Sequence, residues 1–318
     1  MKPVTKKILL ISGCCMGAGL LLTGAGIVSG GWPGFAITQN GIQSSASQSE
    51  PYVLEKTILE NFSGINLRID DEADIELLVS DNDNFYLEYT LYGNSGEPEY
   101  EIDNGTLNFH YAPGEDTGIS LFGPGTYGRG TSPVVRLYIP ESIQMSGVDI
   151  FSGYGDLTIL GLNAGQADIR LDYGDLYIEN VSLDSGTFDL SAGDLEFSDS
   201  AVKTLTLMNE YGDCSLKGMH VESADLTLEA GYLVFDADGL KTLTGYSDYG
   251  DTSLTLYGSV EDYSFSLSTE YGEISVPETS PGRLVSGDSL EMTYDYQSDG
   301  NKKVEFSASS GDIEVDLN

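Results

Sequence analysis

Tyr173-Gly174-Asp175-Leu176-Tyr177-Ile178 decides the fold, because this stretch returns along the chain at a constant distance. It is preceded by Tyr154-Gly155-Asp156-Leu157-Thr158-Ile159 and followed by Ala192-Gly193-Asp194-Leu195-Glu196-Phe197 and Tyr211-Gly212-Asp213-Cys214-Ser215-Leu216. Ala230-Gly231-Tyr232-Leu233 and Tyr249-Gly250-Asp251-Thr252 continue the series, so six glycines are separated by steps of 19 residues. Looser copies stand at Tyr271-Gly272-Glu273-Ile274 and Ser310-Gly311-Asp312-Ile313, where insertions break the period. A period of this size belongs to repeat architectures, and the rhythm inside the unit says which one. Ile169, Leu171 and Tyr173 alternate with Arg170 and Asp172, and Leu176 and Ile178 alternate with Asp175 and Tyr177. That is a strand rhythm, and no unit holds the ten or more helical residues of a leucine-rich or ankyrin repeat.

Stacking the units produces apolar columns. One runs Ile150, Ile169, Phe188, Leu207, Leu226; a second runs Leu157, Leu176, Leu195, Cys214, Leu233; a third runs Ile159, Ile178, Phe197, Leu216, Phe235. Coils pairing their backbones at about 4.8 Å would make these columns a continuous core. The expected fold is therefore all-β, a single-stranded β-solenoid of 19-residue coils over residues 148–256. Irregular caps are expected at 52–147 and 257–318, with the end of the chain forming the C-terminal cap, since a solenoid must shield its end faces.

The N-terminus follows another logic. Lys2, Lys6 and Lys7 precede an uncharged run in which Ile8 to Val28 alone is 21 residues. As a helix that length crosses a hydrocarbon core, with the lysines left in the cytoplasm. The expectation is an anchor and cytoplasmic stub at 1–31, a Gln-, Ser- and Gly-rich linker at 32–51, and an ectodomain at 52–318. This places the protein at the cell membrane as a single-pass chain with its C-terminal domain outside, the membrane being a partner through the helix. A cleaved signal peptide and a lipoprotein signal at Ile11-Ser12-Gly13-Cys14 are the rival readings of the leader.

Composition excludes some partners. The chain has 318 residues and a formal charge of −37, from 14 basic and 51 acidic side chains. A surface of that sign repels nucleic acid and favours cations and basic groups. Three cysteines make no disulfide framework, and Cys214, in a leucine column, reads as a small buried hydrophobe. Residues 113–133 form a Gly- and Pro-rich interruption, expected to be a mobile decoration with no partner; a contact loop using Phe122, Tyr127 and Arg129 is the alternative.

The search for chemistry returns little. His110 and His220 stand in unrelated contexts, and no nucleophile elbow, phosphate loop or dinucleotide motif occurs. No catalytic residue and no cofactor are expected. The tyrosines Tyr154, Tyr173, Tyr211, Tyr249 and Tyr271 share a column with Ala192 and Ala230 between them. Sharing parity with Ile169 and Leu171, they are expected to pack at a coil corner, with an aromatic carbohydrate-binding strip as the rival. Asp156, Asp175, Asp194 and Asp213 form an acidic column beside Glu210, Glu229 and Asp248. The carboxylates are expected to accept turn N–H groups; weak Ca²⁺ binding by these four aspartates is the alternative, since gathered oxygens suit a hard cation.

The leader, the β-rich remainder and the Gly-Asp-plus-aliphatic units (Gly155-Asp156, Gly174-Asp175, Gly193-Asp194, Gly212-Asp213, Gly311-Asp312) resemble a bacterial adhesin-type family, the domain of unknown function numbered 4097. The resemblance runs from about Tyr52 to Asn318 and departs at Gly231-Tyr232, where the acid is missing. It implies a membrane-attached or secreted β-solenoid of cell-surface or envelope context, with no catalytic motif to carry over. The function expected is a non-enzymatic adhesin, binding or structural module whose partner is an envelope glycan or protein. A Ca²⁺-dependent polysaccharide-active enzyme on a β-helix is the alternative, with Arg170 the only arginine of the regular coils to serve it.

Overall fold

The structure, a computed structural model, describes residues 35–38, 41–44, 50–92, 96–113, 119–120, 132–277, 280–286 and 291–318. They fall in two units. The first comprises Met1–Pro51, Tyr92–Gly96 and Pro113–Thr131. Its described strands, Gly41–Ser44, Phe35–Thr38 and Ile119–Ser120, form a three-stranded antiparallel sheet in that order. Two of these strands lie within the stretch expected to be a linker. Phe122, Tyr127 and Arg129 lie outside the described residues.

The second unit, Tyr52–Leu91, Glu97–Ala112 and Ser132–Asn318, holds the repeats. Each regular coil has a long strand, a Tyr-Gly-Asp corner, a short strand and a second corner. Asn163–Leu171 and Leu176–Glu179 make one coil; Ser182–Leu190 and Leu195–Ser198 make the next. Ile169 pairs with Phe188, and Leu176 with Leu195, in parallel and without slippage. A one-residue slip would turn every core side chain outward, so the repeated apolar pattern holds the register. The three columns expected from the period are all buried, each member no more than 1% exposed.

The two corners explain the spacing of the turn residues. At the first, Gly174 (φ 141°) and Gly193 (φ 148°) adopt a backbone closed to other residues. A Cβ on either would also overlap the carbonyl oxygen of the corner glycine in the coil before it. At the second corner Gly161, Asn180, Asp199 and Gly218 take φ of 68°, 56°, 49° and 63°. Glycine, asparagine and aspartate are the residues that tolerate this left-handed region.

The expected class is corrected on two points. First, the coils do not follow one another in sequence order to the end of the chain. Lys302–Ser310 inserts between Thr242–Tyr249 and Tyr263–Tyr271, parallel to both. Ile313–Leu317 likewise lies between Thr252–Leu256 and Ile274–Ser275. The C-terminus is therefore an inner coil, and the antiparallel strands Met292–Tyr296 and Arg283–Ser286 finish that face. The stack also starts before residue 148, because Gly64–Glu72 and Asp74–Ser80 pair in parallel with Gly147–Tyr154 and Leu157–Leu160. Both departures come from long connections that bring distant segments onto an edge whose register is already set by its neighbours.

Second, no helix among the described residues is long and apolar enough to cross a membrane. The helical element they contain is the single turn Val260–Asp262. The transmembrane helix, the single-pass location at the cell membrane and the membrane as partner are withdrawn on that finding; the run Ile8 to Val28 lies outside the described residues.

Candidate functional site

The Tyr-Gly-Asp corner is the most regular exposed feature of the repeat unit, and its geometry starts from the glycine. With no side chain there, adjacent coils close to backbone contact: Gly155 N–H donates to the Tyr173 carbonyl at 3.0 Å, and Gly193 N–H to that of Tyr211 at 2.9 Å. The next residue then places a carboxylate over the following coil. Asp156 Oδ1 accepts the N–H of Asp175 at 2.9 Å, Asp175 that of Asp194 at 2.9 Å, and Asp194 that of Asp213 at 2.8 Å. Asp213 accepts from Tyr232 N–H at 2.9 Å, where the acid is missing and the ladder breaks. It resumes as Asp251 to Asp312 at 2.9 Å and Asp312 to Glu273 at 2.8 Å.

The four aspartates singled out as Ca²⁺ candidates thus satisfy backbone donors of the neighbouring coil. These are donors one coil away, 19 residues on, and not those of each residue's own turn. Among the described residues no group of three or more His, Cys, Asp and Glu side chains is placed to hold a metal ion. One rung escaped the sequence reading: Asp74 Oδ1 accepts Asp156 N–H at 3.1 Å, which starts the ladder. Ala73-Asp74-Ile75 lacks the glycine, and its distance from Asp156 breaks the period.

The tyrosines correct the parity argument. Tyr154, Tyr173, Tyr211, Tyr249 and Tyr271 are between 53% and 61% exposed, so they do not pack inward. The strand ends at Leu171, and beyond it the backbone turns, so the alternation that buries Ile169 and Leu171 does not extend to Tyr173. In spatial order the row reads Tyr154, Tyr173, Ala192, Tyr211, Ala230, Tyr249, Ser310, Tyr271. The rings of Tyr154 and Tyr173 stack at 5.3 Å with 4° between their planes. Past them, small residues separate the tyrosines, leaving rings two coils apart, about 9–10 Å. Ala192, Ala230 and Ser310 place small side chains between successive exposed tyrosines.

Arg170 and Cys214 are accounted for elsewhere. Arg170 lies exposed on the long-strand face, 5.9 Å from the Phe151 ring and 3.4 Å from Asp172. Arg68, from the coil on the far side, lies 4.6 Å from the same ring and is held by Asp70 at 2.9 Å. Arg170 therefore has an arginine neighbour that the period did not announce, and both cations already have carboxylate partners. Cys214 is buried, and burial pushes its thiol up to about 11, partly offset by a hydrogen bond from Asn209 Nδ2 at 3.2 Å. A thiol so placed is an inert core residue.

Residues 64–316 match the model of the family described as Toastrack DUF4097. No curated protein matches the chain. Among solved structures it is weakly similar to candidate adhesins from Parabacteroides merdae and Parabacteroides distasonis. The first is 12% identical at a TM-score of 0.48, over 84% of this chain and 96% of that one. The second is 10% identical at a TM-score of 0.48, over 84% and 97%. A candidate cell adhesion protein from Clostridium sporogenes is 10% identical at a TM-score of 0.29, over 85% and 100%. With the family model spanning most of its length, and coils, corners and ladders in place, the chain belongs to the Toastrack DUF4097 family.

Proposed function

We propose that this chain is a non-enzymatic binding module of adhesin type, working at a cell surface or envelope, which holds an extended glycan along its row of tyrosines. The observation that carries this reading is the exposure of Tyr154, Tyr173, Tyr211, Tyr249 and Tyr271 in a single line on a rigid corner. Exposed aromatic side chains on a surface that the fold does not need are contact residues first. Sugar rings present C–H faces that stack on aromatic rings, and the small residues Ala192 and Ala230 recur at every second coil, with Tyr211 between them. The backbone ladder fixes the corner before any ligand arrives, so little ordering cost attaches to binding. Nothing in the surroundings of Arg170 or the aspartates favours the enzymatic alternative: each is engaged by a partner within the fold.

The test is binding of the full chain to envelope polysaccharide fractions, with Tyr173→Ala/Tyr211→Ala as the variant. Binding should be lost while the unfolding midpoint stays put, since exposed substitutions typically move stability by only about 0.5 kcal/mol. Undiminished glycan binding by the variant would sink the proposal, and retention of an envelope protein in place of glycan would move it to a protein ligand.

A further inference from the structure

Repetition stacks coils and leaves the end strands open. Among the described residues of the second unit, four strands pair on one side only. On the short-strand face these are Tyr52–Ile58 and Ile274–Ser275; on the long-strand face they are Glu99–Asp103 and Arg283–Ser286. An unpaired edge is a template for another chain, and folds usually blunt it with charge, bulges, proline or shortness. Three of the four edges carry such a device. Tyr52–Ile58 has a register shift at Glu55-Lys56. Ile274–Ser275 is two residues long and runs into Pro277. Glu99–Asp103 has three carboxylates. Arg283–Ser286 carries a single charge, Arg283, and no carboxylate or register shift; all four of its residues are exposed, with Leu284 at 51%.

The two edges of the long-strand face complement each other. Within Glu99–Asp103, Tyr100 and Ile102 lie opposite the buried Phe109 and Leu107, so they continue the inner column. Glu99, Glu101 and Asp103 then face outward. Within Arg283–Ser286, Leu284 lies opposite the buried Tyr294 and continues the inner column at the other end, so Arg283 and Val285 face outward. Leu284 thus meets an apolar column inside, and Arg283 meets the row of carboxylates outside. The strand directions also fit. Glu99–Asp103 runs antiparallel to the main stack and Arg283–Ser286 runs parallel to it, so copies stacked end to end would join them as an antiparallel pair. With Leu284 beside Ile102, Arg283 falls beside Asp103.

We propose that copies of this chain assemble head to tail, the strand Arg283–Ser286 of one pairing with Glu99–Asp103 of the next and extending the long-strand sheet across the joint. The contact joins two different surfaces, so it does not close on itself and grows as an open series. The large negative charge opposes it at low ionic strength, and screening at about 0.15 M salt, with a Debye length of about 8 Å, shortens that repulsion to the joint itself. A row of tyrosines continued from copy to copy would lengthen any glycan footprint, but assembly does not depend on that function.

Sedimentation velocity on the full chain across a concentration series at this salt is the test. The expected result is a mass distribution that passes beyond the dimer as concentration rises. Arg283→Glu should return the protein to monomer, and adding Asp103→Arg to that variant should restore assembly by exchanging the charges. Leu284→Pro, on an edge strand where proline is tolerated, should abolish assembly with an unchanged circular dichroism spectrum. Monomer at every concentration would overturn the proposal. So would a series that stops at a dimer, association that survives both single variants, or failure of the charge exchange to restore it.

Discussion

The middle coils and the C-terminal end of the stack are built from the same unit, yet they are held in place differently. In the middle, Ile169 finds Phe188 and Phe188 finds Leu207, each partner one coil away in sequence. At the end, Thr252 finds Ile313 and Tyr249 finds Ser310, across a loop of 61 residues that contains other strands. Short separations make the middle cheap to nucleate and self-registering, because each coil is a template for the next. The end gains no such help. The last segment must enter between Thr242–Tyr249 and Tyr263–Tyr271 and be held by both. A repeat tells the chain how to continue, while only a long-range contact tells it where to stop.

Removing residues 302–318 should separate the two regions most sharply. Val304, Phe306, Ile313 and Val315 are buried, and about 1.5–3 kcal/mol each is at stake, together comparable to a domain's whole stability. Hydrogen exchange should show the strands after residue 242 losing protection, while Asn163–Leu171 and Ser182–Leu190 keep theirs. Uniform loss across every coil would mean the middle is not self-sufficient.

A smaller effect tests the close approach at the corners. Gly193→Ala adds a side chain at φ 148° and against the Gly174 carbonyl, so thermal unfolding should show a loss of about 3 kcal/mol or more. Gly105→Ala, at φ 78° with nothing within 4 Å of the added atom, should lose only about 1–2 kcal/mol. Equal losses would show that backbone conformation alone, and not contact between coils, selects glycine.

The smallest change concerns the aspartate ladder. Asp194→Ala leaves the N–H of Asp213 without its acceptor and should cost about 0.5–2 kcal/mol, as lost caps do. Asp194→Asn keeps an acceptor oxygen and removes one charge from an acidic row, so denaturant melts should place it within about 0.5 kcal/mol of the parent. A saturable calorimetric Ca²⁺ signal in the parent, absent from the Asn variant, would turn the row from scaffold into site.

The sequence by itself determined the all-β, solenoid-like character of the repeat region, with its period, core columns and register. All of these follow from local alternation repeated at a constant interval, and Ile169, Leu176 and Phe197 are buried where the period put them. Residue type also marked the second corner at Gly161, Asn180, Asp199 and Gly218, a left-handed signal that spacing alone would have found. The tertiary structure alone decided three things. It placed Asp74 under Asp156 and Asp312 between Asp251 and Glu273, because pairing across long connections leaves no periodic trace. It turned the tyrosines outward, because they stand at the last residue of a strand or just past it, where the alternation of the strand gives way to the corner. It set Arg68 beside Phe151 and Arg170, and left Arg283–Ser286 as an exposed end strand, because a strand's neighbours are chosen by the whole stack and not by the strand.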